Sequence, residues 1–126
     1  MNKKIVSYLI LTLILGVFTI NVQAADKKNP EGKWKFSVQD APYGYEKGEL
    51  EISKKKKEYA GTMMFDGFEY KLECENVRFE KEELSFTLFV EGEDVLLVLK
   101  FSEKDKLSGR AVYSMGELSI SAERVK

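Results

Sequence analysis

From Gly32 onward, apolar and polar side chains alternate with a period of two, as they do in strands with one buried and one wet face. The stretch GKWKFSV puts Trp34, Phe36 and Val38 on one side and Lys33, Lys35 and Ser37 on the other. Turn-forming residues return at roughly 8- to 12-residue intervals, the spacing of an all-β sandwich or barrel. The pattern predicts eight strands, near residues 32–39, 48–54, 58–65, 68–79, 84–91, 95–102, 107–113 and 117–125. The links are short except the one at 40–47, so successive strands should be antiparallel neighbours in a meander. Closing that meander into an up-and-down barrel removes its exposed edges. No segment after the first strand carries an amphipathic helical period.

The same alternation predicts an interior built from Trp34, Phe36, Leu50, Ile52, Met63, Leu84, Phe86, Leu88, Leu97, Leu99, Leu107 and Ile120, among others. One strand breaks the rule. Phe68, Tyr70, Leu72 and Cys74 share a parity, whereas Val77 and Phe79 take the other. A bulge near Glu75 and Asn76 restores the phase, as barrels often need to bend; a turn there would instead give nine strands. Leu96 and Val98 should face outward on a strand whose inward set is already apolar.

The first segment reads differently. Lys3 and Lys4 precede an apolar run from Ile5 to Ile20, and Val22-Gln23-Ala24 offers small residues where a signal peptidase cuts. Residues 1–24 are therefore expected to be a cleaved signal peptide. A short linker at 25–31 and one barrel domain at 32–126 would follow, in an exported protein that is periplasmic or secreted and not stably inserted in a membrane. Removing 24 of the 126 residues takes away two lysines and no acid, so 20 basic and 21 acidic residues become 18 and 21. That near-neutral, interspersed charge supplies no electrostatic footprint for nucleic acid. The lone Cys74 has no partner for an intramolecular disulfide, and its parity predicts a buried small hydrophobe.

A search for chemistry is mostly negative. The chain has no histidine, so Ser-His-Asp triads, histidine proton shuttles and the commonest metal ligand are excluded. No nucleophile elbow, phosphate-cradling loop or zinc spacing is present, and nothing calls for a cofactor or a metal. Paired carboxylates are the remaining enzymatic option. Glu91, Glu93 and Asp94 share a hairpin loop, but a turn or a weak calcium contact accounts for acids there as well. The reading is therefore a non-enzymatic protein.

Gly32-x-Trp34 on a first strand resembles the motif of lipocalins and their fatty-acid-binding relatives, the calycin group. In that group the tryptophan closes one end of an eight-stranded up-and-down barrel, and a basic residue from the last strand packs across it. Here Arg124 shares the parity of Leu118, Ile120 and Ala122, which independently points it inward. The resemblance implies that Gly32, Trp34 and Arg124 seal the floor. The stretch DAPYGYEKG is also similar to small lipocalin-like secreted proteins of Bacteroidota. The chain departs from the lipocalin pattern in its short length and in lacking a C-terminal helix.

If Trp34 and Arg124 mark the closed end, the meander sorts its links. Those near 54–57, 80–83 and 103–106 fall at the floor and are nearly all lysine and glutamate. The opposite end receives Tyr43, Tyr45, Phe65, Phe68, Tyr113 and Met115, an aromatic rim at a barrel mouth. Either Tyr43 and Tyr45 form a movable flap over a cavity, or these aromatics fold back and plug the mouth. The two readings imply different partners. A cavity suits a small apolar or amphipathic molecule, whereas a filled interior suits a protein partner met through the rim or through Leu96 and Val98.

Overall fold

The computed structural model describes residues 28–68 and 70–126, so the expected signal peptide lies outside the described residues. Eight strands follow one another: β1 (Gly32–Val38), β2 (Lys47–Lys55), β3 (Glu58–Phe65), β4 (Lys71–Glu80), β5 (Glu83–Val90), β6 (Glu93–Glu103), β7 (Lys106–Tyr113) and β8 (Gly116–Arg124). Each pairs antiparallel with the next, and β1 pairs with β8 through Trp34↔Arg124, Phe36↔Ala122 and Val38↔Ile120. The result is a closed eight-stranded up-and-down barrel. Its core is the alternating set, with Trp34, Leu50, Leu84, Phe86, Leu99 and Leu107 almost wholly removed from solvent.

The irregular fourth strand is one strand with a bulge. Its register to β5 slips between Glu75 and Arg78, and Asn76 adopts a left-handed φ of 53°, which asparagine tolerates better than most residues. That extra residue turns Val77 and Phe79 back toward the core. The start of β4 differs from expectation. It begins at Lys71, not Phe68, because the Phe68 N–H bonds to the Phe65 carbonyl at 3.0 Å and holds a tight turn. Tyr70, expected inside, is consequently 55% exposed, and its ring tilts against Phe68. A Cβ at Gly67 would lie 2.6 Å from the Gly44 Cα, so a side chain there would push the turn off the β1–β2 loop. On the outer face, Leu96 is partly exposed, while Val98 is buried between its register partners Ser85 and Arg110.

The floor is built around Arg124. Its guanidinium carbon sits 4.4 Å from the Trp34 ring centroid, and its Nε donates to the Asp105 carboxylate at 2.7 Å. Nη1 and Nη2 donate to the carbonyls of Glu31 and Asn29, each at 2.8 Å, and Trp34 Nε1 donates to the Pro30 carbonyl at 2.9 Å. Three successive carbonyls are thus used, and Pro30 is buried. Residues 28–31, expected as part of a linker, instead form a strap across the barrel end. Gly32 has φ of 126°, and a Cβ there would come within 3.2 Å of Arg124 Nη1. That explains the glycine two residues before the tryptophan. Edge-on contacts Trp34–Phe101, Phe101–Phe79 and Phe79–Tyr59 extend the seal across the floor.

Two predictions follow from this arrangement. Arg124→Ala removes the stacked cation and leaves strap carbonyls without their donors, so stability should fall by roughly 2–4 kcal/mol in a denaturant titration. Hydrogen bonds from Arg124 and then Lys126 hold the Asp105 carboxyl below its ordinary value of 3.8. A depressed folded-state value means that its contribution is complete at neutral pH and is lost as pH falls through the acid range below that value. Thermal melts should therefore show a steeper acid-side loss of Tm in the parent protein than in Asp105→Asn.

Candidate functional site

Above the filled floor the barrel is hollow. A cavity of about 230 Å³ opens at the opposite end, walled by inward side chains of modest size, including Val38, Leu88, Val95, Leu97 and Ala111. Tyr45, Phe65, Tyr113, Glu91 and Glu93 border it toward solvent. Small-molecule pockets typically span about 300–1,000 Å³, and a dry cavity of about 150 Å³ accepts benzene. This one therefore suits a compact apolar group whose remainder projects from the mouth. A second concavity lies on the outer face, where Ser37, Ser108, Ser119 and Ser121 leave a shallow trough. It offers small hydroxyls and no enclosed apolar volume.

Tyr45 spans the mouth. It belongs to the β1–β2 loop, which is pinned by the Val38 N–H to the Glu46 carbonyl at 2.7 Å and by the Tyr45 N–H to the Pro42 carbonyl at 3.0 Å. The Glu46 carboxylate accepts the Gly44 N–H at 2.8 Å. The Tyr45 ring packs against Phe65 and Phe68 at centroid distances of 5.0 and 4.9 Å. Its hydroxyl donates to the Glu91 carboxylate on the β5–β6 turn, which ties two rim loops together. Loss of water around the hydroxyl, reinforced by Glu91, pushes the Tyr45 pKa up to about 12. The phenol remains a donor throughout the physiological range.

The aromatic rim expected from sequence divides into three parts. Tyr45, Phe65 and Tyr113 border the cavity; Phe68 stands behind Tyr45; Tyr43 and Met115 point into solvent, 94% and 82% exposed. Gly32, Trp34 and Arg124 lie together at the other end, as the floor requires. The two rim carboxylates were missed as cavity residues. Glu93 shares the parity of Val95 and Leu97 and, as the first residue of β6, points inward; its Oε1 accepts the Ser114 N–H at 3.0 Å. Glu91 follows the inward Val90 in a left-handed turn with Gly92, and no local pattern announces its bond to Tyr45, 46 residues away. Glu91, Glu93 and Asp94 form no metal-holding group among the described residues.

Apolar walls, aromatic edges and two carboxylates can hold and orient a molecule. Cys74, the one thiol, is buried, and burial, with a smaller push from Glu73, raises its pKa to about 12, so it stays protonated and unreactive.

The raised phenol gives a direct check. Because the folded state holds the Tyr45 proton above the ordinary value of 10, the associated stability is complete below that pH and is lost as pH rises through about 12. An ultraviolet pH titration should contain a late tyrosinate phase that Tyr45→Phe abolishes and Glu91→Gln moves to lower pH.

No known family model and no curated protein matches the sequence. Among solved structures, a redesigned β-barrel superposes with a TM-score of 0.54 at 12% identity, over 76% of this chain and 91% of that one. At such low identity the likeness concerns the fold alone.

Proposed function

We propose that this chain is an exported, non-enzymatic binding protein that holds a small apolar or amphipathic molecule in the open half of its barrel. The single observation that carries this reading is the cavity beneath Tyr45, sited where small antiparallel barrels commonly place ligands. Burying apolar ligand surface there would contribute about 25 cal/mol per Å², and the ordered wall limits the entropy lost on binding. The floor of Gly32, Trp34 and Arg124 adds weight, since it matches the closure expected of a lipocalin-like barrel. The lack of histidine and the protonated Cys74 favour binding over catalysis.

The exposed Tyr43 and Met115 favour a second reading, in which a protein partner docks on the same rim. Tyrosine and methionine are both common at such surfaces.

Occupancy of the cavity separates the two. Naphthalene titrated into the protein should shift the methyl resonances of Val95, Leu97 and Ala111, while those of Leu50 and Leu84 stay in place. Val95→Phe fills the cavity and should abolish those shifts, with stability altered by less than about 1.5 kcal/mol because the space already exists. Unchanged wall methyls in the parent protein, together with recovery of a stoichiometric protein complex, would favour the partner reading.

A further inference from the structure

The mouth has a charge as well as a shape. The links at the open end contain, among the described residues, Asp40, Glu46, Asp66 and Glu91 and not one lysine or arginine. Glu93, at the top of β6, adds a fifth acid, and it points inward by register. The turns at the floor differ, since each carries lysine: Lys56 and Lys57, Lys81, and Lys104. The lysines nearest the mouth along the chain, Lys47 and Lys71, begin their strands on exposed positions opposite Ser37 and Met64, on the outer face. Among the described residues, no basic side chain lines the cavity.

Among the described residues, Glu91 and Glu93 are the only carboxylates in that lining. Each receives one neutral donor, the Tyr45 hydroxyl and the Ser114 N–H respectively, and neither has an ion pair among the described residues. A carboxylate offers about four lone-pair sites, so both keep unused acceptor capacity and uncompensated charge at the lip of an apolar space. Tyr45, Phe65 and Tyr113 present ring surface to the same opening, and aromatic faces attract cations. A carboxylate ligand such as a fatty acid would meet repulsion there, and low-dielectric walls strengthen it.

From this we propose that the site selects positively charged amphiphiles: an ammonium head held by Glu91 and Glu93 among the mouth aromatics, with a short apolar tail in the cavity. The proposal rests on the binding reading above and narrows its ligand class. At about 30 Å³ per water-sized group, the cavity admits a tail of roughly eight methylenes.

Three probes of equal length test it: octylammonium, 1-octanol and octanoate, each titrated by calorimetry and by methyl chemical shifts at neutral pH. Octylammonium should bind at least about tenfold more tightly than octanoate, with octanol between them, and added salt should narrow the gap. In Glu91→Gln/Glu93→Gln the amide oxygens still accept from Tyr45 and Ser114, so the fold is kept and the preference should shrink to within about threefold. Octanol binding with octanoate equal to or better than octylammonium would overturn the charge selection while leaving the cavity reading intact. So would a preference unchanged in the double variant. If none of the three shifts the wall methyls, the binding reading itself fails and the proposal with it.

Discussion

One guanidinium fastens the first strand of the barrel to the last. Arg124 meets an indole face, a carboxylate and two backbone carbonyls at once, a set that suits a planar cation with donors in a fixed fork and would not suit lysine. Through those contacts it joins β1, β8, the β6–β7 turn and the strap ahead of β1. Pairing of β1 with β8 leaves no open edge, whose unpaired backbone groups would invite pairing with other chains, and Arg124 reinforces it. The barrel closes through the β1–β8 ladder, and Arg124 fastens the floor end of that seam.

A firmly sealed floor leaves the other end free to differ. Trp34, Phe86, Leu50, Leu84, Leu99 and Leu107 fill the lower interior, where an eight-stranded barrel is just wide enough for side chains. Toward the mouth the inward positions carry Val38, Val95 and Ala111, which are too small to meet across the same width. The hollow is thus a consequence of side-chain size along the barrel axis. The charges follow the same axis, with lysine-bearing turns below and acid-bearing links above, so one molecule presents a packed, solvated base and an apolar, negatively charged opening.

Much of this was legible along the chain because a strand's faces alternate strictly and a barrel has only an inside and an outside. Parity pointed Trp34 and Arg124 inward and called for a bulge or a turn near Glu75 and Asn76, while the pairing of Trp34 with Arg124 came from the lipocalin resemblance. What parity could not supply was anything that depends on a turn or on distant pairing. Phe68 and Tyr70 imitate strand alternation, yet a hydrogen bond between Phe68 and Phe65 takes them out of the ladder. Asp105 and the strap at 28–31 look like ordinary turn and linker residues until Arg124 is placed against them. The link from Tyr45 to Glu91 joins two loops that no local pattern connects. Glu93 shares the parity of Val95 and Leu97, but the sequence places it in a hairpin loop at 91–94, where parity carries no weight; β6 in fact begins at Glu93.

If Arg124 fastens the barrel, the β1–β8 seam should be as firm as the whole molecule, and the mouth links, which lie outside the ladder, should open more easily. Native-state hydrogen exchange measures both on one sample. Amides of Lys35 and Ser37 and of their partners Glu123 and Ser121 on β8 should exchange only through global unfolding, with free energies equal to the denaturant value. Those of the β1–β2 and β7–β8 links should exchange through smaller local openings. Seam amides that exchange more easily than the amides of β5 and β6 would contradict the account, because the first and last strands would then be parting on their own.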